Sequence, residues 1–399
     1  MKKVVIASSV RTPIGDFGGS LQPVKPLDLM MTVMKESLRR AQLEKEDLDQ
    51  VIVGNCFAPV EQNIARVTSL LMGVPDRVPG HTIDCACASA SQAIISGANA
   101  IALGQAEIIL VGGVESMSNA PYIMETARWG QRLRHAQLID LFWKGMQEYP
   151  VGGGMGMAAE RLAEKYHITR EEQDALALSS HQRAVRAIKE GRFKKEIIPV
   201  EVPSGKGKKV EVSTDEHPRE DTSLESLSRL KSAFKEGGTV TAGNSSGLND
   251  GASAIILMSE EKAKERGCKS LATLRSYCTV ASDPYLVGLA PVPAIQRVLK
   301  ETGLNLKDIQ LFEINEAFAT YYLACEKELG FSREITNVNG SGISLGHPVG
   351  STGCRILVTL LYEMERQGLK LGISSLCAGG GVGTAILVER REVEGDTPC

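Results

Sequence analysis

A repeat at one fixed spacing constrains this chain more than any other feature. Leu311-Phe312-Glu313-Ile314 runs into Asn315 much as Val51-Ile52-Val53 leads to Asn55, and 315 − 55 = 260. Cys87 and His347 are separated by the same interval, 347 − 87 = 260. Each stands just before a helix-like stretch rich in small residues, and each stretch leads on to a strand and a glycine run. Two copies of one α/β unit within 399 residues is the reading that fits, with two helix N-termini brought to one centre.

The local patterns agree with that unit. Val4 to Ala7, Val51 to Val53 and Ile108 to Val111 are short apolar runs of buried-strand type. Between the first two, Met30, Val33, Met34, Leu38 and Ala41 recur at helical spacing. From Cys87 to Ala102 small residues occupy nearly every face, which predicts a helix buried on all sides between two sheets. Gly350-Ser351-Thr352-Gly353-Cys354 opens its counterpart. Two sheets sharing a central helical layer, with further helices outside, make five layers.

The segment 119–247 has a different texture. It carries Tyr122, Ile123, Met124, Trp129 and Leu133, helical patterns over Met157 to Tyr166 and Arg170 to Glu190, and a polar run around Lys206, Lys208 and Lys209. It reads as an inserted loop domain. The expected division is 1–118 plus 248–270 for the first half, 119–247 for the insertion and 271–399 for the second half.

Bulk properties exclude several classes. A formal net charge of −3 gives no general affinity for polyanions, so no nucleic-acid partner is expected. Nine cysteines scattered along a long chain suit reduced thiols in the cytoplasm better than a secreted disulfide framework. No apolar run approaches the ~20 residues that span a bilayer, so no membrane partner is expected. Gly112-Gly113 lacks the third glycine and helix start of a dinucleotide fingerprint, which argues against NAD. Cys85-Ala86-Cys87 has no second pair to complete a metal site, so no metal is expected and Cys85 reads as packing.

Four segments carry the chemistry: Asp84-Cys85-Ala86-Cys87-Ala88-Ser89-Ala90, Asn315-Glu316-Ala317-Phe318-Ala319, Gly346-His347-Pro348-Val349-Gly350 and Cys377-Ala378-Gly379-Gly380-Gly381. They offer two thiols, an imidazole, an amide and glycine-lined turns. One thiol can hold an acyl group and the other can move a proton at carbon, with the imidazole as activating base. That inventory suits carbon–carbon bond chemistry on thioesters.

In this order the segments resemble those of the thiolases, and the likeness runs from Arg11-Thr12-Pro13 to Gly379-Gly380-Gly381. The resemblance implies a duplicated five-layered αβαβα fold with an inserted loop domain. It implies Cys87 as the acyl-accepting nucleophile, its thiolate favoured by the helix start, and His347 as the base that activates it. Cys377 would move the α-proton of the second thioester. Asn315 would hold a water in one oxyanion hole with His347, and the N–H groups of Cys87 and Gly379 would form another. Ala242 and Ser246, within Thr241 to Gly247, fall where the family meets the pantetheine arm of coenzyme A. Met155 is a further coenzyme A contact, and Arg219 and Ser226 fall at the nucleotide end. Coenzyme A is thus a co-substrate, with no tightly bound cofactor, and a homotetramer is implied.

Three departures stand out. Gly154 replaces a frequent histidine, Val287 a frequent methionine, and Ala88 and Ala90 replace common glycines. The first two leave room for a longer or branched acyl chain. The function implied is the reversible condensation of two acetyl-CoA to acetoacetyl-CoA. A degradative 3-ketoacyl-CoA thiolase of wider chain length is the alternative.

Overall fold

The computed structural model describes residues 1–57, 62–205 and 207–390. Lys206 and residues 391–399, assigned above to the polar run and the C-terminal half, lie outside the described residues.

The expected strand runs all form. They are β1 (Val4–Arg11), β2 (Gln50–Gly54), β3 (Gly80–Ile83), β4 (Ile108–Ser116), β5 (Asn249–Ser259), β6 (Ala272–Ala281), β7 (Leu311–Ile314), β8 (Leu371–Ala378) and β9 (Val382–Glu389). The helices that position the site are α1 (Pro26–Ala41), α2 (Ser89–Ala102), α3 (Met155–Tyr166), α4 (Arg170–Lys189), α5 (Pro291–Thr302), α6 (Ala319–Leu329) and α7 (Val349–Gln367). Local chemistry sets several ends. Pro26 opens α1, where a missing N–H costs nothing. A Thr169–Glu172 capping box opens α4. Gly303, Gly330 and Gly368 close α5, α6 and α7 in the left-handed region.

The sheet order is β7-β8-β9-β6-β1-β5-β4-β2-β3. The repeat is visible in the pairing: β2 is parallel to β4, and β7 is parallel to β8. In turn, β5 is antiparallel to both β1 and β4, as β9 is to β6 and β8. Even the short turns before β2 and β7 match, Lys45–Asp47 and Leu306–Asp308, each opened by a capping box. The two sheets expected from the sequence are joined edge to edge. Val5 pairs with Thr273 and Ile6 with Ala272, so the halves share one continuous sheet bent around its middle.

Strand alternation separates the layers. Val5 and Ala7 of β1 face α1, in a core with Met30, Val33, Met34 and Leu38. Val4 and Ile6 face the other way, into a core built from α2 and α7. That middle core also takes Ile386 and Val388 of β9, while Ala385 and Leu387 turn outward towards α5 and α6. Helix, sheet, helix pair, sheet and helix follow in that order. Small residues let α2 and α7 cross closely. A Cβ on Gly353 would lie 2.2 Å from the Ser91 Oγ of α2, and α7 lies equally close to β4, where a Cβ on Gly113 would lie 2.2 Å from the Gly350 carbonyl oxygen.

Beyond this core an arm spans the start of the 119–247 segment. Strands Tyr122–Ile123 and Ile139–Asp140 pair across it, and Tyr122, Trp129, Leu133 and Leu138 are exposed. Among the described residues no helix is long and apolar enough to cross a membrane.

Candidate active site

The segment before α2 is a tight turn fixed by its own polar groups. Asp84 Oδ1 accepts from the Ala86 N–H at 2.9 Å. Ser89 Oγ accepts from the Cys85 N–H at 2.8 Å and donates to the Ala86 carbonyl at 2.6 Å. Ala86 is held at φ +49°, a conformation that a residue with a Cβ adopts only under constraint. The turn delivers Cys87 two residues before the first turn of α2.

Around that sulfur the repeat closes. Cys87, His347, Cys377, Gly379, Met155 and Ser246 all line one cavity of about 320 Å³. Most of its remaining wall is apolar, including Phe142, Trp143, Phe234 and Phe318. Val287 also contributes to it. A Cβ on Gly154 would lie 2.8 Å from the carbonyl oxygen of Gln147, itself part of the cavity wall, so that space is already filled.

The Cys87 thiol is pushed up to about 12. Burial is the main cause, opposed by the backbone N–H groups of Gly379 and of Cys87 itself and assisted by Glu115 and Asp84. This corrects the expectation from the helix start. Loss of solvation outweighs the two N–H groups, and the resting group is a thiol. The two opposing N–H groups are informative, because both favour negative charge where an acyl group would sit. The Cys377 thiol, at the end of β8, is also raised well above its ordinary range, first by burial and then by Cys87 and Cys325.

His347 is 3% exposed, and burial lowers its pKa to about 3 with a further contribution from Arg355. It is a neutral imidazole at pH 7. Its Nδ1 lies 2.7 Å from the Thr352 Oγ1. That hydroxyl has one hydrogen, which it donates to the Pro348 carbonyl at 3.0 Å. The Thr352 oxygen is thereby left to accept from Nδ1–H. The lone pair of the ring then resides on Nε2, where a base needs it. The Asn315 Nδ2 lies 3.5 Å from Nδ1 and 3.4 Å from Nε2. Near-equal distances place the amide across the ring rather than on one nitrogen. Asn315 Oδ1 is buried with no hydrogen-bond partner.

The remaining sequence-named residues lie outside the cavity wall. Ala242 is exposed on a loop held by Asn244, whose Oδ1 accepts from Thr241 N at 2.8 Å. Ser226 is exposed and exchanges caps with Ser223. Arg219 lines a separate surface cavity of about 380 Å³ beside His181, Arg186 and Lys189. Cys85 shares a neighbouring cavity of about 410 Å³ with Cys56, and that cavity also reaches Cys87.

Three residues were missed from the sequence. Thr352 orients the imidazole, as described. Asn249 Oδ1 accepts from the His347 N–H at 2.8 Å. Glu115 accepts from the N–H groups of Cys56 at 3.1 Å, Phe57 at 3.0 Å and Gly350 at 3.1 Å, and from Asn55 Nδ2 at 3.2 Å. It thus ties the loop after β2 to the start of α7, and burial raises its carboxyl to about 7 against those donors. Only Thr352 had a local signal, its place in the small-residue run after His347.

Residues 4–261 match the family described as thiolase, N-terminal domain, and residues 268–390 match thiolase, C-terminal domain. An acetyl-CoA acetyltransferase of Syntrophomonas wolfei is 46% identical over 396 residues, 97% of this chain and 99% of that relative. The crystal structure of the Bacillus anthracis acetyl-CoA acetyltransferase superposes with a TM-score of 0.96 at 48% identity, covering 98% of this chain and 99% of that one. Human mitochondrial 3-ketoacyl-CoA thiolase in complex with CoA superposes at 0.94 with 40% identity, covering 98% of each chain.

Proposed function

The chain belongs to the thiolase family, an acyltransferase by its domains and relatives, and we propose that its site condenses two acetyl-CoA to acetoacetyl-CoA and CoA, reversibly, through an acyl-Cys87 intermediate. The observation that carries the reading is the convergence of two thiols and a neutral imidazole in one apolar cavity, with the backbone N–H groups of Gly379 and Cys87 favouring negative charge at the Cys87 sulfur.

The protonation states order the steps. As Cys87 attacks the thioester carbonyl, its proton passes to His347 Nε2, and the oxyanion forms on the Gly379 and Cys87 N–H groups. The departing CoA thiolate takes the proton of Cys377. The site then holds acetyl-Cys87, an imidazolium and a Cys377 thiolate. That thiolate removes the α-proton of a second acetyl-CoA. The imidazolium Nε2–H, with Asn315 beside it, faces the enolate oxygen. The carbanion attacks acetyl-Cys87, and the released sulfur recovers its proton from His347. Every proton is returned, and negative charge rests on fixed donors in a largely apolar cavity.

Coenzyme A fits as an extended co-substrate. The cavity holds the acyl group and the pantetheine end at Ser246, while Ala242, Ser226 and Arg219 offer contacts along the exposed nucleotide end. Segment 119–247 is assigned both to that binding and, through its exposed aromatic arm, to a homotetramer. The eight described cysteines are all free, which favours a reducing cytoplasm. Val287 in the wall is the feature that favours longer acyl chains, the second reading.

Replacing Cys377 by alanine separates the half-reactions. The Cys377→Ala protein should take an acetyl group from acetyl-CoA onto Cys87, slowly, and should fail to cleave acetoacetyl-CoA or to exchange α-protons in deuterated water. Cys87→Ala should take no acetyl group. Intact mass and proton NMR follow the two events. Full α-proton exchange in folded Cys377→Ala would overturn the assignment.

A further inference from the structure

We propose that Asn249 is a positioning residue for the base, and that it makes the pantetheine loop and the His347 turn a single mechanical unit. The inference rests on the reading of His347 as the base at Cys87.

Asn249 is wholly buried at the start of β5, immediately after the loop that carries Ala242 and Ser246. Its amide is used at both ends. Oδ1 accepts the His347 N–H at 2.8 Å, while Nδ2 donates to the Gly15 carbonyl at 3.1 Å and lies 3.3 Å from Asp16 Oδ1. Asp16 is itself fixed by the His217 Nδ1 at 2.5 Å. The amide therefore has no freedom to turn, and the His347 N–H is held where Asn249 holds it.

The turn rests directly on that amide. Gly346 has φ +102°, and a Cβ there would lie 2.6 Å from both the Asn249 Cγ and Nδ2. Glycine is needed at Gly346 because the Asn249 side chain occupies the place of its side chain. Pro348 has no N–H, so the His347 N–H is the donor by which this part of the turn is anchored.

The other end of the same segment grips the asparagine turn. Ser246 N–H donates to the Ala317 carbonyl at 2.9 Å, and Ala319 N–H donates to the Asn244 carbonyl at 2.9 Å. One stretch of nine residues, Thr241 to Asn249, thus holds the neighbours of Asn315 and His347 together and also presents the proposed pantetheine contacts. A base that works through Nε2 depends on its distance to one sulfur, and small displacements there cost large factors in rate.

The test uses variants of the full chain. Asn249→Leu keeps the size and removes both polar atoms. Asn249→Asp keeps an oxygen to accept the His347 N–H. Gly346→Ala leaves Asn249 in place and forces the turn off it. The readouts are the rate at which iodoacetamide alkylates Cys87 at pH 7, mapped by peptide mass, and kcat and KM for thiolysis of acetoacetyl-CoA. Asn249→Leu and Gly346→Ala should each slow alkylation and kcat about tenfold or more, with KM within about threefold. Asn249→Asp keeps the acceptor but sets its second oxygen against the Gly15 carbonyl and Asp16, so it should recover the alkylation rate only when paired with Asp16→Asn, a rescue that a merely space-filling role would not give.

Wild-type alkylation and kcat in folded Asn249→Leu, beside a slow His347→Ala control, would overturn the positioning role and leave the base assignment standing. If Asn249→Leu does not fold, unchanged alkylation in Gly346→Ala overturns it equally. Normal alkylation in His347→Ala would instead remove the base reading on which the inference stands.

Discussion

Exchanging Thr352 for valine removes one hydroxyl and keeps the shape of the side chain. In the wild type that oxygen accepts the Nδ1–H of His347 at 2.7 Å while its own hydrogen goes to Pro348. In Thr352→Val the buried Nδ1–H loses its acceptor. An unmade buried hydrogen bond costs about 1–3 kcal/mol. The ring can escape the cost by moving its proton to Nε2, but the lone pair then faces valine and the cavity loses its base. Either way the catalytic tautomer is less stable by that amount. At about 1.4 kcal/mol per factor of ten, acylation should slow about tenfold to a hundredfold. The assay is single-turnover transfer of acetyl from acetyl-CoA to Cys87, followed by rapid quench and intact mass. Thr352→Ser retains the hydroxyl and should stay near wild type. A wild-type rate in Thr352→Val would refute the tautomer argument. So would a Thr352→Ser as slow as the valine variant, which would point to the lost methyl contact.

Two further outcomes follow from the site and the arm. Because the folded-state pKa of Cys87 lies above the ordinary thiol value and that of His347 below the ordinary imidazole value, both groups are neutral at pH 7. The ultraviolet difference between wild type and Cys87→Ala should therefore show no thiolate band near neutrality, only in strong alkali; a band at pH 7 would mean a resting thiolate–imidazolium pair. Light scattering at micromolar concentration should give a tetramer, and Trp129→Asp with Leu133→Asp should lower the mass; a monomeric wild type would end that proposal.

The sequence made the fold legible because the repeat carries its own register. Val51 to Val53 and Leu311 to Ile314 are short enough to be read as strands without tertiary help, and the small-residue runs after Cys87 and His347 announced the close crossing of α2 and α7. The join at Val5–Thr273 was not readable, since nothing in either strand encodes which edge it meets. The loops bearing Cys87, His347 and Cys377 were legible because each pairs a reactive side chain with glycines or small residues. Their supports were not. Asn249 and Glu115 act across 98 and 235 residues of chain, and neither has a neighbour in sequence that hints at its partner. The raised pKa of the Cys87 thiol is hidden from the sequence for a related reason. A helix start can be seen in sequence, whereas the burial that overrides it belongs to the assembled walls.

The close crossing of α2 and α7 also has a kinetic meaning. Each half can assemble most of its own strand pairs from contacts within its half, but the cavity exists only after the two central helices have met along Ser91 and Gly353. Contacts between distant parts of a chain form late and slowly. Reactivity at Cys87 is therefore a clock for the last docking event. During refolding, helical signal should return before the thiol becomes a competent nucleophile, and a chain arrested between the two would be well structured, unable to hold an acyl group, and bare along the small-residue faces where a chaperone would find it.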